Sequence, residues 1–320
     1  MIDLLQIVNG ARSLQPNTRR SYANVIRQWL AFAGTNPDGW TVAACQAFYD
    51  QLVNSTSIET ANVMLTGGLS YALARAAALH PRAGVADVTR AVDRYKANQD
   101  PDAEGKRHAL TAPQARKLLT ACDGVSIIDL RDRAIVTLGL YTGMRRMSLV
   151  GVDLTRVRDH GPYVVLKVPI KGGAFYNVPL DARAWAATAP YRAALQRHRP
   201  EAGPMFPSFQ KPRPTVDDPI GQRAVGAHAM TEDGLYRALN RRAEAAGLQA
   251  FSPHIFRHTF ATWCRGEPFR VPDHLIEVVT GHKGQRGMVD RFYTDRDQLA
   301  ADVARQCYEA VTHRLEGPAT

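Results

Sequence analysis

The sequence contains little that would suit a membrane, disulfide-bonded or zinc-ribbon protein. No apolar run approaches the roughly 20 residues that cross a bilayer, and the first residues lack the pattern of a signal peptide. Its four cysteines are far apart and form no CxxC pair. We therefore predict a cytoplasmic protein with no membrane partner, in which Cys45, Cys122, Cys264 and Cys307 are buried free thiols.

Motifs for nucleotide and metal chemistry are also missing. No segment resembles a glycine-rich phosphate-binding loop, and no acidic cluster has the spacing of a metal site. His254 and His258 are spaced like the histidines of HExxH zinc sites, but Ile255 stands in the place of the glutamate and Arg257 interrupts the face. An arginine there would repel zinc, so we predict no metal and no cofactor.

An excess of basic residues is the first positive feature. The chain has 40 Lys and Arg against 30 Asp and Glu, a formal net charge of +10. Residues 1–106 contain 10 basic and 9 acidic residues, so residues 107–320 contain 30 and 21 and carry almost all of the excess. A basic surface attracts polyanions such as DNA. The charge favours DNA binding without deciding it.

The length of the chain predicts two domains. Residues 1–98 have the apolar spacing of successive helices, and residues 99–106 are polar, contain Pro and Gly, and indicate an exposed linker. The predicted helix starts are Asn17 or Thr18, Thr41, Ser57 and, for a helix that runs to Ala97, about Val85.

Residues 107–320 mix helices with a few strands, which predicts a mainly α fold with a small β-sheet, an α+β class. The predicted elements are a helix start at Leu110–Thr111, an apolar helix from Leu130 to Tyr141 that stops at Gly143, strands Tyr163–Ile170 and Phe175–Leu180 joined by a hairpin turn, a surface loop over 199–225, and helices from Thr231 to the end.

The segment around position 255 indicates a phosphate site. Ser252 and Pro253 are a good N-cap and first-turn pair. A helix that starts there places His254, Arg257 and His258 on one face of one turn. Helix N-termini favour anions, so a histidine and an arginine at this end make a phosphate pocket. Either histidine by itself would more often fill core space or cap a neighbour.

Three segments together resemble the signature of the tyrosine recombinase family, also called phage integrases. They are Thr142–Leu149, Ser252–Thr259, and Gly281–His282 followed by Phe292–Thr294. That family's active site is, in chain order, Arg, Lys, His-x-x-Arg, His or Trp, and a nucleophilic Tyr. By resemblance these roles fall on Arg145, Lys171, His254, Arg257, His282 and Tyr293. Looser similarities at 17–22 and 107–111 extend the likeness over roughly nine tenths of the chain.

The resemblance implies metal-independent DNA strand transfer. The two arginines would hold the non-bridging oxygens of a phosphodiester, and the two histidines would donate hydrogen bonds or move protons. Tyr293 would attack the phosphorus and give a 3′-phosphotyrosyl bond, while Lys171 would protonate the departing 5′ oxygen. Resealing would then need no ATP.

The resemblance also implies an assembly. A helical core-binding domain, residues 1–98, and a catalytic domain, residues 107–320, would form a C-shaped clamp on DNA. The protein would be a homotetramer on two specific duplex sites and pass through a Holliday junction, but a monomer or dimer off DNA. A C-terminal helix would dock on a neighbouring protomer, because a lone monomer would have to cover its apolar stripe of Leu299, Val303, Cys307, Val311 and Leu315.

Further residues are candidate DNA contacts, although for most of them the sequence does not separate DNA-facing from solvent-facing side chains. They are Arg19, Arg20, Arg146, Arg241, Arg242 and His258.

The chain departs from the family's pattern in two places. Three positions after the first arginine the family usually has an acid, and this chain has Ser148, which puts the geometry of Arg145 in question. The spacing from His282 to Tyr293 is longer than expected, and the intervening loop could absorb the difference. Tyr308 is the one rival nucleophile nearby, and its place on an amphipathic helix favours packing.

Two other functions remain open. A type IB-like topoisomerase would share the tyrosine chemistry but would relax any supercoiled plasmid as a monomer. A catalytically silent DNA-binding regulator of the same fold would form no covalent adduct. The short region before Asn17 argues against a separate arm-site-binding domain. A plasmid, transposon, prophage or chromosome-resolution system would suit a two-domain enzyme of this kind.

Overall fold

The structure is a computed structural model that describes residues 2–81, 85–96, 109–170, 172–199, 201–209, 225–281 and 296–317. The chain divides into two compact units, Met1–Lys106 and Arg107–Thr320. The predicted linker, residues 99–106, lies outside the described residues. Within the ranges given, no helix is both long enough and apolar enough to span a membrane.

The first unit is helical. Its helices are α1 (Leu4–Asn9), α2 (Pro16–Ala33), α3 (Val42–Ser55), α4 (Ile58–Val63) and α5 (Ser70–Leu79), with a π-helical segment, Met64–Leu69, between the last two. The Thr41 and Ser57 side chains cap α3 and α4, as predicted. Helix α2 starts earlier than predicted, because Pro16 occupies its first position and Gln15 precedes it without a side-chain cap.

The helix predicted from Val85 to Ala97 is wrong. The described part of this segment contains only a short 3₁₀ turn, Val88–Ala91, and then extended chain. Side chains of α3 bind that extended backbone: the Gln46 amide accepts from Asp93 N (2.8 Å) and donates to Asp93 O (3.1 Å), and the Tyr49 hydroxyl accepts from Tyr95 N. These tertiary hydrogen bonds replace the ones that a helix would have made within itself.

The second unit contains helices and two small sheets. Its helices are α6 (Ala112–Thr120), α7 (Ile127–Thr142), α8 (Arg146–Val150), α9 (Ala182–Ala186), α10 (Ala189–His198), α11 (Glu232–Ala245), α12 (Ile255–Arg265), α13 (Asp273–Thr280) and α14 (Arg296–Glu316). The predicted start of α6 is confirmed, since Thr111 and Gln114 form a reciprocal capping box. All four cysteines of the chain are buried and free, as predicted.

The predicted hairpin is confirmed and gains a third strand. Strands β1 (Val157–Asp159), β2 (Tyr163–Pro169) and β3 (Phe175–Asp181) form an antiparallel sheet in sequence order. The β2–β3 ladder ends at the pair Pro169–Phe175, and Ile170 N donates to Ala174 O to close the turn.

The surface loop predicted over 199–225 is partly wrong. Residues 200 and 210–224 lie outside the described residues, but Pro207–Phe209 forms β4, which pairs with β5 (Val225–Ala229). Met205 and Phe206, just before β4, are fully buried. The buried side chains of Met205 and Phe206 thus hold this proline-rich segment against the core.

The apolar stripe of the C-terminal helix is covered within its own unit, and docking of this helix on a neighbouring protomer stays a prediction. Every residue of the stripe is at most 8% exposed, because α14 packs in its own unit against β3, α12 and α13. Tyr308 has the predicted packing role: its ring stacks on Tyr141 with 5.3 Å between centroids. The guanidinium carbon of Arg183 lies 4.1 Å from the centroid of the Tyr308 ring.

Helices α7 and α12 approach each other closely at Gly139 of α7 and at Gly143, the residue that follows α7. A Cβ on Gly139 would lie 2.6 Å from Cδ2 of Phe256, and one on Gly143 would lie 3.0 Å from Cβ of Phe260. Gly143 also ends α7 in the left-handed conformation (φ 55°), as predicted. The two phenylalanines therefore fit against α7 only because these positions lack a side chain.

Replacing Gly139 with alanine tests this contact. In an unhindered helix the change would stabilise by about 1 kcal/mol, but here the new methyl overlaps the Phe256 ring. We expect a net loss of about 1–3 kcal/mol in the free energy of unfolding, measured by urea titration. In a Phe256→Leu background the loss should shrink. An increase in stability from Gly139→Ala alone would contradict the close approach.

Candidate active site

Arg145 lies three residues after the end of α7 and is the residue that precedes α8. The left-handed turn at Gly143 redirects the chain, and Met144 is buried in the core. The Arg145 side chain is half-buried, and its Nη1 donates to the carbonyl oxygen of Gly281 at 3.0 Å. The first predicted arginine therefore reaches across to the end of α13.

Arg257, in the first turn of α12, reaches the same place. It is only 5% exposed, and its Nη1 donates to Thr280 O at 2.6 Å and to Gly143 O at 3.4 Å. Burial and the nearby charge of Arg145 lower the pKa of Arg257 to about 10. This value still leaves the guanidinium protonated at neutral pH.

The two arginines thus meet at consecutive carbonyls, those of Thr280 and Gly281. Gly281 ends α13 in the left-handed conformation (φ 67°). Tyr176 of β3 supports this end, since its ring lies 3.1 Å from the position of a Cβ on Gly281 and its hydroxyl donates to Val278 O. Two guanidiniums held this close repel each other, and an anion between them would relieve the repulsion.

The histidines of the second segment are arranged differently from the prediction. His254 and His258 are exposed and contact each other edge to face, with ring centroids 4.9 Å apart. Arg257, in contrast, is buried, and its Nη1 donates to the carbonyls of Thr280 and Gly143. The helix begins at Ile255, while Ser252 Oγ accepts from His254 N at 3.2 Å. In the described part of the chain, no group of three His, Cys, Asp or Glu side chains could hold a metal.

The other three candidate catalytic residues, Lys171, His282 and Tyr293, lie outside the described residues. Two of them are sequence neighbours of described parts of the site. His282 follows Gly281, whose carbonyl binds Arg145. Lys171 follows Ile170 at the end of β2.

Ser148 occupies the place of the family's acid and makes a different contact. It is 4% exposed, and its hydroxyl donates to the carbonyl oxygen of Pro169 at 2.8 Å. Gly151, at the end of α8, packs against the same proline: a Cβ there would lie 2.3 Å from its Cγ. The helix that follows Arg145 is therefore fixed to the end of the strand that leads to the hairpin turn.

Two of the candidate DNA contacts form ion pairs within the protein. Arg242 donates to Asp132 (2.8 Å), Asp129 (2.7 Å) and the carbonyl of Ala121 (3.0 Å), so we assign it a structural role instead. Arg146 pairs through Nε with Glu232 at 2.5 Å. That pair is partly exposed and contributes little to stability, so a phosphate could replace it.

The remaining candidates differ in exposure. Arg19 is half-buried and donates to the carbonyls of Ala11 (2.9 Å) and Leu14 (3.2 Å), which fixes the loop before α2 and gives it a structural role. Arg20 is exposed. Arg241 is also exposed and lines an open cleft of about 590 Å³ along α11. For these last two and for His258, contact with DNA stays a prediction.

Sequence reasoning missed the support for the arginine pair. Tyr176 and the carbonyls of Thr280 and Gly281 hold the site together, yet only the glycine belongs to a motif. The alternation of β3 gives a weak signal for Tyr176, which lies between the more exposed Phe175 and Asn177. Every residue has a backbone carbonyl, so the sequence does not show which carbonyls accept the hydrogen bonds of the arginines.

Comparison with known proteins places this geometry in a family. The profile of the Phage integrase family matches residues 108–299, more than half of the chain. The chain belongs to the phage integrase family. The match covers Arg145, Arg257 and the carbonyls that bind them. The predicted membership of the tyrosine recombinases is thereby confirmed.

Curated relatives of this integrase-family chain include tyrosine recombinases of the XerD type. XerD of Mycobacterium tuberculosis is 33% identical over 159 residues, which are 48% of this chain and 47% of the relative. XerD of Lacticaseibacillus casei is 28% identical over 172 residues, 52% and 53% of the two chains. The chain thus spans about half the length of the curated relatives it matches.

Solved structures of integrase-family proteins share the fold. A lambda integrase dimer bound to a COC′ core site matches with a TM-score of 0.62 at 15% identity, over 92% of this chain and 97% of that one. XerH site-specific recombinase bound to difH substrate matches with a TM-score of 0.58 at 15% identity, over 95% and 80%. The predicted mainly helical fold class with small sheets is confirmed.

Substitutions at Ser148 test its contact with Pro169. Ser148→Ala leaves a half-buried carbonyl without its donor and should cost about 1 kcal/mol of unfolding free energy. Ser148→Asp, which restores the family's type of residue, should cost more, because a buried carboxylate would face a carbonyl oxygen. Ser148→Cys keeps the volume and a weak donor and should fall between wild type and alanine. An aspartate variant as stable as wild type in urea would contradict the contact.

Proposed function

We propose that this chain is a site-specific DNA recombinase that cuts and rejoins duplex DNA through a 3′-phosphotyrosyl bond to Tyr293. The observation that carries the proposal is the meeting of Arg145 and Arg257 at the end of α13. Membership of the phage integrase family supports it independently. The relatives named tyrosine recombinase XerD support the same class of reaction.

The arginine pair binds the scissile phosphate. When an oxygen attacks the phosphorus, negative charge grows on the two non-bridging oxygens, and two guanidiniums can bind both of them with fixed, charged donors. Because the pair is held in place before DNA arrives, little reorganisation is needed during the reaction. A bound phosphate also raises the pKa of Arg257 back towards its ordinary value, since it offsets burial and the charge of Arg145.

Tyr293 supplies the attacking oxygen. A new bond forms between the phenol oxygen and phosphorus as the bond to the 5′ oxygen breaks. The phenol proton passes to a base such as His254, and Lys171 gives a proton to the departing 5′ oxygen. His282 donates a hydrogen bond to a phosphate oxygen. The reverse reaction, with a 5′ hydroxyl from another strand, completes the exchange without ATP.

The partner is duplex DNA with specific recombination sites, and the working assembly is a homotetramer on two such sites, with a monomer or dimer off DNA. The reaction takes place in the cytoplasm on nucleoid DNA. The apolar face of α14 is covered in its own unit, and docking of this helix on a neighbouring protomer remains part of the proposed assembly.

Trapping a covalent adduct tests the proposal. The protein is incubated with a pool of nicked suicide duplexes of randomised sequence, from which the cleaved strand diffuses away. We expect an SDS-resistant protein–DNA adduct in which sequencing of the trapped DNA reveals a preferred site. Tyr293→Phe should abolish the adduct, because no phenol oxygen is left to attack.

Tyr308→Phe is the matched control and should keep the adduct, since the ring between Tyr141 and Arg183 is preserved. Loss of the adduct in Tyr308→Phe but not in Tyr293→Phe would move the nucleophile to the packing residue and contradict the proposal. An adduct without sequence preference, together with plasmid relaxation, would indicate a topoisomerase. No adduct with any duplex would indicate a regulator.

A further inference from the structure

The outer side of the three-stranded sheet carries three cations, two of which lie over one exposed aromatic ring. Arg158 lies on β1, Lys167 on β2 and Phe175 on β3, and Arg156 precedes β1. All four side chains are exposed. We call these four residues the basic sheet face. Neither the catalytic proposal nor the predicted DNA contacts include any of them.

Two of the cations lie over the same ring. The Arg156 guanidinium carbon lies 4.4 Å from the centroid of the Phe175 ring, and the Lys167 ammonium lies 5.6 Å from it. The β1–β2 register ends at the pair Val157–Leu166, and Arg156 and Lys167 are the residues directly beyond that pair. Like charges on opposite strands destabilise a sheet. The face of the phenylalanine ring only partly offsets this.

The carboxylates of Asp153 and Asp159, which are close in sequence to the basic sheet face, bind neighbouring backbone and hydroxyl groups. Asp153 accepts from the backbone and hydroxyl of Thr155 at 2.9 and 2.6 Å, and Asp159 accepts from Gly161 N at 2.8 Å. Both acids are therefore used in local turns. Within the ranges that the structure describes, none of the three cations of the face forms an ion pair.

We propose that the basic sheet face binds the sugar–phosphate backbone of duplex DNA beside the point of cleavage. This rests on the proposed function and deepens it, because it names a second surface for the same DNA. Three cations spread over neighbouring strands need a row of anions, which a DNA backbone supplies. Lys167 precedes position 171 by four residues, at most about 13 Å of extended strand. The contacted phosphates therefore lie near the scissile one.

The salt dependence of DNA binding tests this surface. The plot of log Kobs against log salt has a negative slope, and each lost phosphate contact lowers the magnitude of that slope by about 0.9. Binding of a labelled random-sequence duplex is measured by fluorescence anisotropy over a salt series, in a Tyr293→Phe background so that no covalent bond forms. We expect the slope of the Arg158→Ala/Lys167→Ala double variant to be smaller in magnitude by about 2.

Matched variants control for net charge and geometry. Arg197, exposed near the end of α10, forms no ion pair with any described residue, and Arg197→Ala should leave the slope unchanged. Lys167→Arg keeps the charge and should also leave it unchanged. A urea titration of the double variant checks that the fold is intact. An unchanged slope in a folded double variant overturns the proposal. It does so even if an acidic polypeptide binds the wild type and fails to bind the variant, because the surface would then bind a protein partner.

The outcome is separate from that of the adduct experiment. A lower slope without any adduct would retain the basic sheet face as a DNA surface while the proposed chemistry fails. An adduct with an unchanged slope would retain the chemistry and overturn the sheet-face proposal.

Discussion

The contact between α7 and α12 sets the distance between the two arginines of the candidate active site. Phe256 packs on Gly139, one turn before α7 ends, and directly precedes Arg257. Gly143 ends α7 two residues before Arg145. Any side chain at either glycine would separate the helices and move the guanidiniums apart. The fold thus fixes the pair of charges through steric fit, since their mutual repulsion would otherwise separate them.

The end of α13 completes this arrangement electrostatically. Carbonyls at a helix C-terminus carry a partial negative charge, equivalent to about half an elementary charge, and Thr280 and Gly281 present theirs to the two guanidiniums. This is enough to hold two cations but too little to neutralise them. In the described part of the site, two guanidiniums thus point to one place, which suits a phosphate diester. Tyr176 of β3 supports the end of α13, since its hydroxyl donates to Val278 O and its ring packs against Gly281.

Local signals in the sequence predicted most elements, and tertiary contacts explain the failures. The cap at Thr41 and the left-handed end at Gly143 depend on neighbouring residues, so both were predictable. The extended chain that replaces the predicted helix over 85–97 was not predictable, because side chains of a distant helix, among them Gln46, bind its backbone. In the site, the motif identified Arg257, but its inward turn follows from carbonyls that side-chain patterns do not encode.

The claim that the two guanidiniums act on one phosphate is tested most directly by a double-mutant cycle. Initial rates of covalent adduct formation are compared for wild type, Arg145→Lys, Arg257→Lys and the double variant. Two donors on one phosphate predict strong coupling, with the double variant little slower than the slower single variant. Rate losses that multiply independently would contradict the account, because each arginine would then act without the other.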